Sequence, residues 1–101
     1  TMVFDEIDAG VSGRIAEAVG RRMRDLAVHR QIIAITHLPQ IAACGSEHIV
    51  VSKRENADRT LTEARILDGE ERARELAGLF GGAEVSETAI EHARALLGEY
   101  V

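Results

Sequence analysis

Two short runs without polar alternation, Met2-Val3-Phe4 and Ile32-Ile33-Ala34-Ile35, flank a segment of helical periodicity. The first ends in Asp5-Glu6, and the second lies within Gln31–Thr36 and leads into His37. An unalternated apolar run suits a strand buried on both faces, the habit of parallel sheets. Between the runs, Ile15, Val19, Met23 and Leu26 recur at spacings of four, four and three. That spacing predicts one apolar helical face, running to about Val28. Ser12 is placed to cap this helix, behind a turn marked by Gly10 and Gly13. The reading is strand, helix, parallel strand. Such crossovers bring both strand ends to one carboxyl edge, where ligands of open α/β sheets usually bind. Asp5, Glu6 and His37 are therefore expected at the same edge.

The rest of the chain reads as a short turn of helix, a hairpin and two helices. Pro39–Ala43 suits a helical turn. His48–Lys53 and Thr60–Leu67 are extended runs around the polar stretch Arg54–Arg59. Asp68 with Glu71 forms a capping-box pattern before a helix burying Ala73, Leu76, Ala77 and Phe80, with Gly81-Gly82 as its stop. Ser86 caps a last helix whose apolar face is Ala89, Ile90, Ala93, Leu96 and Leu97, with Val85 set as a staple to Ile90. Thr1 opens directly onto an apolar run, so the chain is expected to be a piece of a longer polypeptide.

Composition narrows the function classes. With 101 residues, a net charge of −5 and 3% aromatic residues, the chain as a whole offers neither a basic footprint nor a base-stacking platform. One cysteine, Cys44, cannot form an internal disulfide and fits a reducing compartment. No segment approaches the roughly 20 apolar residues of a membrane span. Cys44 and His48 lack the companion pair that a structural zinc site needs.

An apolar strand ending in Asp-Glu is the Walker B pattern of ATPases. The strand holds two acids rigidly, and successive side chains point to opposite faces, so the acids can take different tasks. Asp5 would help hold Mg²⁺, directly or through water. Glu6 would orient or deprotonate an attacking water. A histidine ending the neighbouring strand can donate to a γ-phosphate. The plainer readings are solvated loop acids and a satisfied strand-end histidine. The small loop Asp8–Gly13 allows close approach of another backbone, with Asp8, Gly10 and Ser12 as contacts, although Ser12 could serve only as a cap. Arg21, Arg22 and Arg24 form a small basic cluster, usually a solvated face and less often a contact for DNA or a partner. No Gly-x-x-x-x-Gly-Lys-Ser/Thr loop and no Ser-Gly-Gly signature is present, so this chain alone is expected neither to hold ATP tightly nor to hydrolyse it.

In this order the motifs resemble the C-terminal lobe of ABC-type ATPase heads, in the SMC-like branch. The stretch from Phe4 to Gly13 is similar to the Walker B and D-loop of the RecN type of bacterial double-strand-break repair proteins. Thr36-His37-Leu38-Pro39-Gln40-Ile41-Ala42 resembles their histidine switch. His48, Val51-Ser52-Lys53 and Leu79-Phe80-Gly81-Gly82 look like the same family. The resemblance implies an α/β fold. Residues 1–101 would be the C-terminal part of an SMC-like P-loop NTPase head, with parallel strands, a crossover helix, a β-hairpin and two C-terminal helices. It implies ATP and Mg²⁺ as cofactors, with Asp5 on the metal side, Glu6 as catalytic base and His37 as γ-phosphate sensor. Asp8–Ser12 would cross to a second head. Implied partners are the P-loop lobe from the N-terminal part of the same protein, a second head in a homodimer, and DNA, in a bacterial cytoplasm near the nucleoid. The rival expectations are a non-catalytic DNA-binding or dimerisation module, and a head of another SMC-like or RecF-like ATPase.

Overall fold

In a computed structural model of the chain, residues 1–5, 12–80 and 85–100 are described. Strand β1 (Met2–Asp5) is followed by helix α1 (Gly13–Leu26), strand β2 (Ile32–Ile35) and the short helix α2 (Pro39–Ala42). Strands β3 (Ile49–Asn56) and β4 (Arg59–Ile66) come next, then helices α3 (Gly69–Leu79) and α4 (Glu87–Gly98). β1 and β2 pair in parallel, from Met2 against Ile32 to Asp5 against Ile35. The strand–helix–strand unit expected from the two apolar runs is present.

α1 packs differently from the expected stripe. Its buried residues are Ala16, Gly20 and Met23, whereas Ile15 and Leu26 are 56% and 41% exposed. The reason is close approach to α2. A Cβ on Gly20 would lie 2.6 Å from the Cys44 sulfur and 3.2 Å from the Gln40 carbonyl oxygen. Small residues make this the contact face, and the larger Ile15 and Leu26 fall to its sides. Ala16, Met23 and Ile41 form a core on which Phe4, Val19, Ile32 and Leu38 pack.

The parallel pair is covered on one face only. Phe4 and Ile32 turn toward α1, while Val3, Ile33 and Ile35 are 60%, 45% and 51% exposed. The both-face burial expected of these strands is therefore absent here. A chain contributing two strands and one covering helix leaves the other face bare.

A second core holds the C-terminal half. Ala43, Ala73, Leu76, Ala77, Ile90 and Ala93 are buried between α3 and α4, with Leu76 fully enclosed. The capping box at Asp68 is formed in both directions: Asp68 accepts from the Glu71 amide at 2.8 Å, and Glu71 accepts from the Asp68 amide at 3.4 Å. Ser86 accepts from the Ala89 amide at 3.1 Å. Val85, expected as a staple, is 46% exposed. The Phe80 ring stacks on His92 with centroids 4.6 Å apart. The Gly81-Gly82 stop lies outside the described residues.

β3 and β4 pair antiparallel from Ile49 against Ile66 to Asn56 against Arg59, and the pairing runs through the stretch expected to be a polar link. Only Ala57-Asp58 is left as the turn. Polar residues are compatible with pairing because hardly any of this hairpin is buried. No helix among the described residues is long and apolar enough to cross a membrane.

Candidate functional site

The parallel register sets Asp5 opposite Ile35, the last residues of their strands. Both strands end at one edge, and His37 follows Ile35 by two residues. Asp5 and His37 are exposed there. The turn after β2 is locally fixed. The Leu38 amide donates to the Thr36 hydroxyl at 3.0 Å, and Pro39 occupies the first turn of α2, where its missing N–H has no role to fill. Glu6, Asp8 and Gly10 lie outside the described residues.

Ser12 is the N-cap of α1, and its hydroxyl accepts from the Ile15 amide at 3.5 Å. The capping role expected as the plainer alternative is therefore present, whatever else Ser12 does.

The basic cluster on α1 is divided. Arg21 pairs with Glu17 at 3.0 Å and Glu99 at 3.4 Å and sits over the Tyr100 ring, 5.3 Å from its centroid. Arg24 donates to the backbone oxygens of Cys44 at 2.7 Å and Tyr100 at 2.5 Å. These two arginines fasten α1 to the α2–β3 turn and to the end of α4. Arg22 is exposed.

Sequence reasoning missed a second clasp. Arg72 donates to the backbone oxygens of Ala42 at 2.9 Å and Gly45 at 2.5 Å. Arg24, Arg72 and Tyr100 line a cavity of about 310 Å³ with Gly45 and Leu97. Burial lowers the Arg72 pKa and raises those of Cys44 and Tyr100. His48, half-buried near Arg72, is also lowered by burial. The signal available in the sequence was slight: Arg24 has no acid three or four residues away, whereas Arg72 has Asp68 and Glu75 at that spacing and reads as an ordinary helix-surface arginine. The described residues contain no group of three or more His, Cys, Asp or Glu side chains able to hold a metal ion.

The chain is 43% identical over 97 residues to the DNA repair protein RecN of Halalkalibacterium halodurans. It is 45% identical over 97 residues to RecN of Streptomyces coelicolor and, over the same length, to RecN of Deinococcus radiodurans. Each match covers 96% of this chain. The chain belongs to the RecN family. It spans only 17% of the length of these three RecN proteins. No family model matches the chain. Among solved structures, one from a study of ATP-driven dimerisation and DNA-stimulated activation of SMC ATPases superposes with a TM-score of 0.68 at 22% identity. The superposition covers 81% of this chain and 48% of the other, so the RecN-type fold seen here is part of an SMC ATPase fold.

Proposed function

We propose that this chain is the hydrolysis half of an ATPase head in a RecN-type DNA repair protein. The observation that carries the reading is the pairing of Asp5 with Ile35, which brings the Asp5 end of β1 and the His37 end of β2 to one edge. The bare apolar face of Val3, Ile33 and Ile35 supports it as well, because a lobe of a larger head needs a partner lobe to cover its sheet. That partner lobe would be the P-loop half of the same longer protein.

The donor chemistry at the edge fits magnesium. Asp5 offers hard oxygens on a rigid strand end, and Mg²⁺ is commonly held by one or two carboxylates together with waters and substrate phosphates. When bound it would neutralise charge on the phosphates. Glu6 aligns or deprotonates the attacking water, and His37 donates a hydrogen bond to the γ-phosphate. Asp8, Gly10 and Ser12 meet a second head across shared ATP. Binding of DNA by the assembled protein follows the same family reading. Most of the rate comes from positioning and electrostatics rather than from covalent chemistry.

The test is Mg²⁺-dependent ATP hydrolysis by the intact parent protein, wild type beside Glu6→Gln. The variant is expected to bind ATP and to turn over at least about tenfold more slowly. Equal turnover removes Glu6 from the chemistry. No turnover in the wild type, with DNA present, points instead to a non-catalytic module.

A further inference from the structure

Gln40 occupies a place that the ATPase reading leaves unexplained. It is the second residue of α2 and follows His37 by three residues. Its backbone is held between helices. The Gln40 carbonyl oxygen accepts from the Cys44 thiol at 3.2 Å and would lie 3.2 Å from a Cβ on Gly20. From this anchor the side chain reaches to the first turn of α1. A Cβ on Gly13 would lie 3.2 Å from the Gln40 Nε2 and 3.9 Å from its Cδ. Gly13 opens α1, directly after the Ser12 cap. Backbone amides in a helix's first turn have no acceptor within the helix.

The Gln40 Oε1 atom is buried and has no hydrogen-bond partner among the described residues. An unmet buried polar atom costs about 1–3 kcal/mol. A methionine of similar length would fill the space without that cost, so packing alone does not call for an amide here.

We propose that Gln40 is a positioning residue that holds the turn bearing His37 against the Ser12–Gly13 start of α1. The proposal rests on the reading of His37 as the γ-phosphate contact. A fixed spacer between this turn and the helix start keeps the histidine-bearing turn at a set distance from Ser12 and Gly13. Misplacement of a catalytic contact by about 1 Å can cost on the order of a hundredfold in rate.

The experiment is a double-mutant cycle in the intact parent protein, using Gln40→Met, His37→Ala and the pair, with Glu6→Gln as control. Gln40→Met is expected to raise its thermal midpoint, because the unmet oxygen is removed, and to keep the KM for ATP while kcat falls about tenfold. The double variant is expected to be no slower than His37→Ala alone, because Gln40 acts through that residue. Gln40→Glu, which keeps the arm length but removes a donor, goes through the same cycle and is expected to show the same coupling, so a poorly folded methionine variant does not end the test. Wild-type kcat in both Gln40 variants, or losses that multiply with that of His37→Ala, overturns the positioning role and leaves the ATPase reading intact. Absence of turnover in the wild-type parent overturns the reading of His37 and the role of Gln40 together.

Discussion

Asp5 stands opposite Ile35 in the parallel register, and their side chains share the sheet face that α1 does not cover. The acid therefore sits at the margin of an apolar surface formed by Val3, Ile33 and Ile35. Covering that surface would exclude water beside Asp5, and electrostatic interactions strengthen where water is excluded. On the proposed ATPase reading, assembly of the sheet and activation of the edge would be one event.

In the parent protein, His37→Ala is expected to lower ATP turnover by about tenfold or more, the range for loss of a positioned polar contact. Asp5→Asn is expected to raise the Mg²⁺ concentration needed for half-maximal rate. Magnesium titrations of steady-state hydrolysis measure both. A normal rate for His37→Ala would return that residue to a structural role, and an unmoved titration for Asp5→Asn would release Asp5 from the metal.

Gly20→Val is expected to destabilise the fold by roughly 1–3 kcal/mol, the usual cost of overpacking. Its Cβ would fall 2.6 Å from the Cys44 sulfur, which is itself bonded to the Gln40 carbonyl. Adding Cys44→Ala is expected to recover part of the loss. Urea melts of the single and double variants read this directly, and a Gly20→Val melt matching wild type would contradict the close approach of α1 and α2.

Alkaline stability should depend on Tyr100. Burial first of all pushes its hydroxyl from 10.0 to about 12, so the folded chain favours the neutral phenol. A raised folded pKa gives stability that is complete below the unfolded value and is lost as pH rises through the folded one. The contribution of Tyr100 is therefore present below about pH 10 and disappears toward about pH 12. Burial raises the Cys44 thiol as well, with the same sign. Urea midpoints taken in steps across this range are expected to fall less steeply for Tyr100→Phe. Parallel curves would remove Tyr100 from the alkaline transition.

Arg22 and Arg24 separate surface charge from structure. Arg24→Met is expected to destabilise the chain by about 1.5–3 kcal/mol, the worth of hydrogen bonds to a charged group, through loss of its bonds to Cys44 and Tyr100. Arg22→Glu is expected to leave stability within about 0.5 kcal/mol of wild type, as for an exposed site. Salt-dependent DNA binding by the parent protein that is lost in Arg22→Glu would make this helix face a DNA contact.

The order of elements and the shared edge were legible because each depends on local signals: apolar runs, caps and helical spacing. Ser12, Asp68 and Ser86 cap the helices where the sequence puts them. The face that α1 buries was not legible. Period alone favours Ile15 and Leu26, whereas the contact depends on how closely Gly20 lets α2 approach, a distance set by residues 20 or more positions away. Arg24 looked like surface charge for a related reason, whereas Arg21 is exposed as expected. Backbone carbonyls at Cys44 and Tyr100 carry no mark in sequence, so their capture of a guanidinium emerges only with the fold. Glu6, Asp8 and Gly10 remain expectations from motif and family.

The β3–β4 hairpin has a consequence for the order in which the molecule assembles. Its strands are joined by two residues, Ala57 and Asp58, whereas β1 must find β2 across a separation of 30 residues from Met2 to Ile32. Hairpins close in about 1–10 μs, and longer closures cost more chain entropy before any contact repays it. The arm therefore forms early from local information, and the edge that carries Asp5 and His37 is completed late. Hydrogen exchange during refolding would see protection arise in Val50 and Arg65, a hydrogen-bonded pair of the hairpin, before it reaches Phe4.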